Sequence, residues 1–243
     1  QWRRAIHPDY KYRVMNWKLS PEERSVPSID AANNRIYIGS INKQLTAFVL
    51  NSGKVIWSTI LEGRIAAKAL IYKKNLFVGT TRGIFYSLDT KTGKIKWKYL
   101  SDGEILSQAV LAPSEKKGEP PLILFTTSNN KITALHADTG KWEWQQRHSQ
   151  PDELSIRGQA PPTFHKGIVY TGYSDGHVIA YKADDGSILW KRSIKEKDRF
   201  PDVDSPLVVV DKIIYASSYS GSLHALYIKD GKTKWSYRLP TAS

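Results

Sequence analysis

Apolar and polar residues alternate along the chain in short runs such as "RIYIG", "GIVYTG" and "HVIAYK". A period of two over five or six residues, rich in Val, Ile, Tyr and Thr and bounded by Asn, Asp and Gly, predicts half-buried β-strands joined by tight turns. No segment carries a credible helical pattern. One stretch, "ADDGSILW" at residues 183–190, admits three readings: a metal loop, a pair of catalytic acids, or a turn between two strands.

Its recurrence favours the turn. "NSGKVIW", "KTGKIKW", "DTGKWEW", "DDGSILW" and "KDGKTKW" end at Trp57, Trp97, Trp144, Trp190 and Trp235, and each has a glycine four residues earlier. Six residues before each glycine stands a small residue: Ala47, Ser87, Ala134, Ala180 or Ala225. Fourteen before it comes Gly39, Gly79, Thr126, Gly172 or Ser217, closing an apolar strand. Counted from Trp17, the tryptophans are spaced by 40, 40, 47, 46 and 45 residues. That period accommodates four strands and predicts an all-β fold, a β-propeller of four-stranded antiparallel blades. Five repeats then form a single domain over 1–243, with one extra N-terminal strand around Trp17. In this reading the acids of "ADDG" are turn formers, because the other copies replace them with Asn, Ser, Lys and Thr. The five tryptophans are blade-docking residues that seal one blade against the next, and the small residues suit a crowded inner strand.

Composition narrows the function. The chain of 243 residues has no cysteine, which excludes disulfides, zinc–thiolate sites and cysteine nucleophiles. No apolar run reaches the roughly 18 residues that cross a bilayer. The net charge of +13, from 36 basic and 23 acidic residues, favours anionic partners. Yet the cations are dispersed and no nucleic-acid motif is present. The six histidines (7, 136, 148, 165, 177 and 224) show no paired ligand spacing and read as surface or packing residues, so no metal is assigned. "DGKTKW" lacks the first glycine of a phosphate loop, and a hairpin follows it rather than a helix.

The repeat is interrupted after Trp144 and Trp190, where long connectors run: "QQRHSQPDELSIRGQAPPT" and "KRSIKEKDRFPDVDSPLVV". Both join an outer strand to the next inner strand, so both emerge at the same end of their blades. Leu154, Ile156 and Arg157 of the first, with Asp202 and Asp204 of the second, compose a candidate protein-binding patch. The competing reading is an internal Arg157–Asp204 ion pair that pins two loops.

The repeat resembles the tryptophan-docked blades of the quinoprotein-like (PQQ-repeat) propeller superfamily. Over residues 144–235 the chain is similar, more specifically, to the BamB family of propeller lipoproteins of the outer-membrane β-barrel assembly (BAM) complex. That family carries an L-S-L-R-G-E-S-A-P segment and a D-V-D-T-T-P segment on neighbouring blades. The resemblance implies a non-enzymatic scaffold without a cofactor. It would bind the POTRA domains of the barrel-inserting subunit BamA through Leu154, Ile156, Arg157, Asp202 and Asp204. Gln159 stands where the family has glutamate. The resemblance also implies a periplasmic location at the inner face of the outer membrane of a Gram-negative bacterium. Attachment there would be through an N-terminal lipid on a cysteine that this sequence lacks. Family members usually have eight blades. Five repeats imply a smaller ring, self-association through unpaired strand edges, or a shortened chain. Two rivals accompany this reading. One is a quinone-dependent dehydrogenase, with Asp202 and Asp204 as calcium ligand and base. The other is a general peptide- or envelope-surface-binding propeller that uses its basic charge near anionic lipid.

Overall fold

A computed structural model describes residues 25–114, 118–149, 160–195, 201–219 and 221–238. The described residues form five antiparallel sheets. The first holds β1 (Ser28–Asp30), β2 (Arg35–Gly39), β3 (Gln44–Val49) and β4 (Val55–Ile60). The second holds β5 (Leu70–Tyr72), β6 (Asn75–Gly79), β7 (Ile84–Asp89) and β8 (Ile95–Leu100). Then come β9 (Val110–Ala112), β10 (Leu122–Thr127), β11 (Lys131–His136) and β12 (Trp142–Arg147). The fourth sheet has β13 (Thr163–His165), β14 (Ile168–Gly172), β15 (His177–Lys182) and β16 (Ile188–Ser193). The last has β17 (Val208–Val210), β18 (Ile213–Ser217), β19 (Ser222–Tyr227) and β20 (Thr233–Arg238). Strands lie in chain order within every sheet, the blade order expected from the repeat. Trp17 lies outside the described residues.

The sheets fall into two compact units divided between Gln108 and Ala109. In a modular array each sheet packs chiefly on its sequence neighbours, so local cores replace one shared core. The first unit is built around Tyr37, Leu45, Trp57, Ile65, Leu76 and Tyr86. The second has one cluster around Leu124, Trp144, Ile179 and Tyr181 and another around Tyr170, Trp190, Val203 and Ile214.

The register explains the small residues, and not as crowding on an inner strand. Ala47 sits on the third strand, paired with Tyr37 on one side and Trp57 on the other. Cross-strand neighbours lie about 5 Å apart, so a residue no larger than Ala or Ser leaves room above it. The flanking rings meet across that gap: Tyr37–Trp57, Phe77–Trp97, Tyr170–Trp190 and Tyr215–Trp235 centroids are 5.8, 5.7, 5.9 and 6.0 Å apart. A bulge follows the small residue in every third-to-fourth strand pairing, at Ala47/Phe48, Ser87/Leu88, Ala134/Leu135, Ala180/Tyr181 and Ala225/Leu226. An extra residue before each tryptophan twists the strand and re-aims the indole.

Within each unit the indole then reaches the next sheet. Trp57 Nε1 donates to the Thr90 carbonyl at 3.1 Å, Trp144 to Ala183 at 2.8 Å and Trp190 to Ile228 at 2.8 Å. Each acceptor lies three residues before a turn glycine, and the indole covers that glycine. A Cβ on Gly93 would sit 2.5 Å from Trp57 Cε3. Gly186, at φ +71°, would drive a Cβ into Trp144. The preceding acid Asp185 is a turn former, as the recurrence implied: its Oδ1 accepts the Ser187 backbone N–H at 2.9 Å. Trp235 on β20 is 41% exposed.

Candidate functional site

The second connector is held down at its C-terminal end by the same device that the repeat uses elsewhere. Ile65, Ile105 and Val203 each press on the glycine ending a second strand: Gly39, Gly79 and Gly172. Each also donates its backbone N–H into the following turn, Ile65 to Ser40, Ile105 to Thr80 and Val203 to Tyr173. "DVDSP" is therefore where the chain rejoins the repeat after its insertion. This seat fixes its neighbours. The Asp202 carbonyl accepts the Tyr219 N–H at 2.8 Å, and Asp202 is only 1% exposed. Burial of Val203 between them leaves Asp204 half-buried, with Oδ1 accepting from the Ser205 hydroxyl at 3.4 Å. Asp202 is thus enclosed, whereas Asp204 is half-buried. The segment ends at Leu207, whose carbonyl accepts from Thr163 Oγ1 at 2.9 Å.

The first connector is anchored at both described ends. At its start the His148 N–H donates to the Asn130 carbonyl at 2.9 Å, and Asn130 Nδ2 donates to the Ser149 carbonyl at 3.2 Å. At its finish the carbonyl of buried Ala160 accepts from Thr126 Oγ1 at 3.1 Å. Leu154, Ile156 and Arg157 lie outside the described residues, so neither their patch with the acids nor the Arg157–Asp204 pair is tested.

Two features escaped the sequence reading. In the first unit a cleft of about 580 Å³ is lined by Arg35, Lys73, Lys74, Lys91, Lys94 and Lys96 around one carboxylate, Asp89. Three turns bring these cations together from positions up to 61 residues apart, which is why they read as dispersed. Asp89 is committed to the turn. Its burial pushes its carboxyl up, but hydrogen bonds from Thr92, Lys91 and Lys96 outweigh this and hold it below the ordinary value. Lys96 Nζ lies 3.4 Å from Asp89 Oδ2, so one carboxylate faces six cations. The second feature lies among the histidines: His148 and His177 converge on Asp175.

The sequence profile of the family described as outer membrane protein assembly factor BamB matches residues 2–119 and 74–242. The chain belongs to that family. Its fold is the β-propeller class with PQQ-like repeats. Outer membrane protein assembly factor BamB of Yersinia pestis is 29% identical over 206 residues, covering 76% of this chain and 49% of that protein. The crystal structure of BamB from Moraxella catarrhalis superposes with a TM-score of 0.77 at 23% identity, over 90% of this chain and 65% of that one. A quinohemoprotein alcohol dehydrogenase from Comamonas testosteroni shares the fold, with a TM-score of 0.69 at 15% identity, over 91% of this chain and 43% of that one. The chain spans about half the length of the curated relatives it matches.

Proposed function

We propose that this chain serves in outer-membrane protein assembly as a non-enzymatic scaffold. It would bind the POTRA domains of BamA through its two long connectors, on the periplasmic side of the outer membrane. The observation that carries the reading is the joint one of family membership and rooted connectors. Both insertions are clamped at their described ends by hydrogen bonds to backbone groups. Relatives named as assembly factors, rather than as oxidoreductases, support the scaffold over the dehydrogenase. In this arrangement Asp204 and Arg157 make the polar contacts, Leu154 and Ile156 the apolar ones, and Asp202 sets the shape of its segment. A scaffold of this kind acts by raising the effective concentration of the parts it joins. The test is capture of purified POTRA domains by wild type and by Arg157→Glu and Asp204→Lys. Loss of capture by folded variants supports the assignment, and undiminished capture refutes it.

The basic cleft favours an accessory reading, contact with an anionic envelope surface. Six cations around one acid attract phosphate-bearing lipid with a strength that falls steeply with salt. Binding to vesicles of anionic phospholipid, lost in Lys74→Glu/Lys94→Glu but intact in Arg157→Glu, separates this contact from capture of the protein partner.

A further inference from the structure

We propose that His148, Asp175 and His177 form a binding site for one divalent transition-metal ion of the zinc or nickel class. The site goes beyond the scaffold reading and stands independently of it. His148 follows β12, while Asp175 and His177 occupy the β14–β15 turn. Asp175 Oδ2 lies 2.6 Å from His148 Nε2 and 2.8 Å from His177 Nδ1, and all three ligating atoms fall within 4.8 Å of one another. One carboxylate oxygen therefore meets two imidazole nitrogens head on. Without a metal both nitrogens must carry protons to satisfy it. A divalent ion replaces those protons and takes all three atoms as ligands.

Binding requires the side chains to rearrange about Asp175. With metal–nitrogen and metal–oxygen bonds of about 2.0–2.2 Å, ligands at right angles lie about 3 Å apart and tetrahedral ones about 3.4 Å. The two Asp175–imidazole separations open by a few tenths of an ångström, while the two imidazole nitrogens, which lie within 4.8 Å of each other, swing together over Asp175 Oδ2 to about 3–3.4 Å.

The frame around the cluster is built without the ion. Asn130 Nδ2 donates to Ser174 Oγ at 3.0 Å and to the Ser149 carbonyl at 3.2 Å, so one amide ties the residues adjoining His148 and Asp175. The Asn130 carbonyl accepts the His148 N–H, and the second oxygen of Asp175 accepts the His177 backbone N–H at 3.2 Å. The His148 ring packs on Tyr173 with centroids 4.8 Å apart, which limits its rotation. Outer-shell restraints of this kind orient ligands and raise affinity.

The donor set chooses the metal. Two imidazoles and a carboxylate suit zinc, nickel, cobalt and copper, whereas calcium and magnesium want oxygen shells. Three protein ligands leave the remaining positions to water or to a side chain of another molecule. Lys191 is a cation whose charge reaches His177, and it opposes binding. A bound ion would tie the end of β12, where the first connector departs, to the β14–β15 turn.

Metal-stripped, untagged full chain is dialysed against Zn²⁺, the bound metal is counted by mass spectrometry, and affinity is measured by calorimetry. One ion per chain is expected, with a rise in melting temperature. Loss of an outer-shell partner weakens sites by about 10–100-fold, so loss of a ligand in His177→Ala should weaken binding at least as much. His136→Ala, at an exposed pair with Glu143, should bind as wild type does. Asp175→Asn keeps the side-chain shape and provides the second test if His177→Ala fails to fold. Absence of stoichiometric binding by wild type, or unchanged affinity in a folded ligand variant, overturns the proposal.

Discussion

Replacing Gly186 by alanine separates the two demands that the blade contact places on its turn. The residue has φ +71°, and a left-handed conformation costs a non-glycine residue about 1–2 kcal/mol. The added methyl also drives into the Trp144 indole, with Cδ2 at 2.6 Å, and overpacking of this kind costs about 1–3 kcal/mol more. Gly118 is the internal control, since it has φ +91° but nothing within 4 Å of an added Cβ. Gly118→Ala should therefore lose only the backbone part. Trp144 is 5% exposed and donates to Ala183, so Trp144→Ala should cost about 3–5 kcal/mol. Removing the indole removes the collision, and the double variant should be more stable than the sum of the singles by about 1–3 kcal/mol. Urea unfolding followed by circular dichroism gives all four free energies, with the midpoint and slope reported together. If Gly186→Ala costs no more than Gly118→Ala, or if the cycle closes additively, the indole does not press on the glycine and the docking argument fails.

The other expectations follow from single contacts. Asp202→Lys should destabilise by roughly 3–5 kcal/mol in urea, because it places a cation where the residue is 1% exposed. Asp204→Lys, on a half-buried side chain, should leave the midpoint near wild type, and equal losses in the two would refute the division of roles. Gly39→Ala meets Ile65 in an ordinary conformation, so its cost is wholly steric and should be largely relieved by Ile65→Ala; unchanged cost in the double variant counts against the seat. Burial pushes the Tyr181 hydroxyl up to about 12, against about 10 in the unfolded chain. The unfolded state therefore releases its proton first, and this share of stability is present below pH 10 and lost as the pH rises. The loss reaches roughly 2–3 kcal/mol by about pH 12, and Tyr181→Phe should flatten the decline in urea midpoint. An identical decline in both proteins would refute it.

What could be read from the sequence was whatever repeats at a fixed distance. Glycine and tryptophan four residues apart mark the turn and the last strand of one hairpin, so their recurrence reports the blade directly. The glycine fourteen residues upstream was equally visible, but its cause was not. Its partner is Ile65 or Ile105 in two blades and Val203 in another, on connectors of different length. The small residue was visible and misassigned for a similar reason. Its constraint comes from Tyr37 and Trp57 meeting over Ala47, and a one-residue bulge hides that register from simple counting. Asp202 looked available because acids are usually exposed, yet the valine beside it seats on Gly172 and carries its neighbour inward. His148 and His177 stand 29 residues apart with no motif between them, and only the pairing of one blade's last strand with the next blade's turn brings them to one carboxylate. Chemistry assembled across blades is set by docking, so the contacts that seal the propeller also determine which distant side chains can act together.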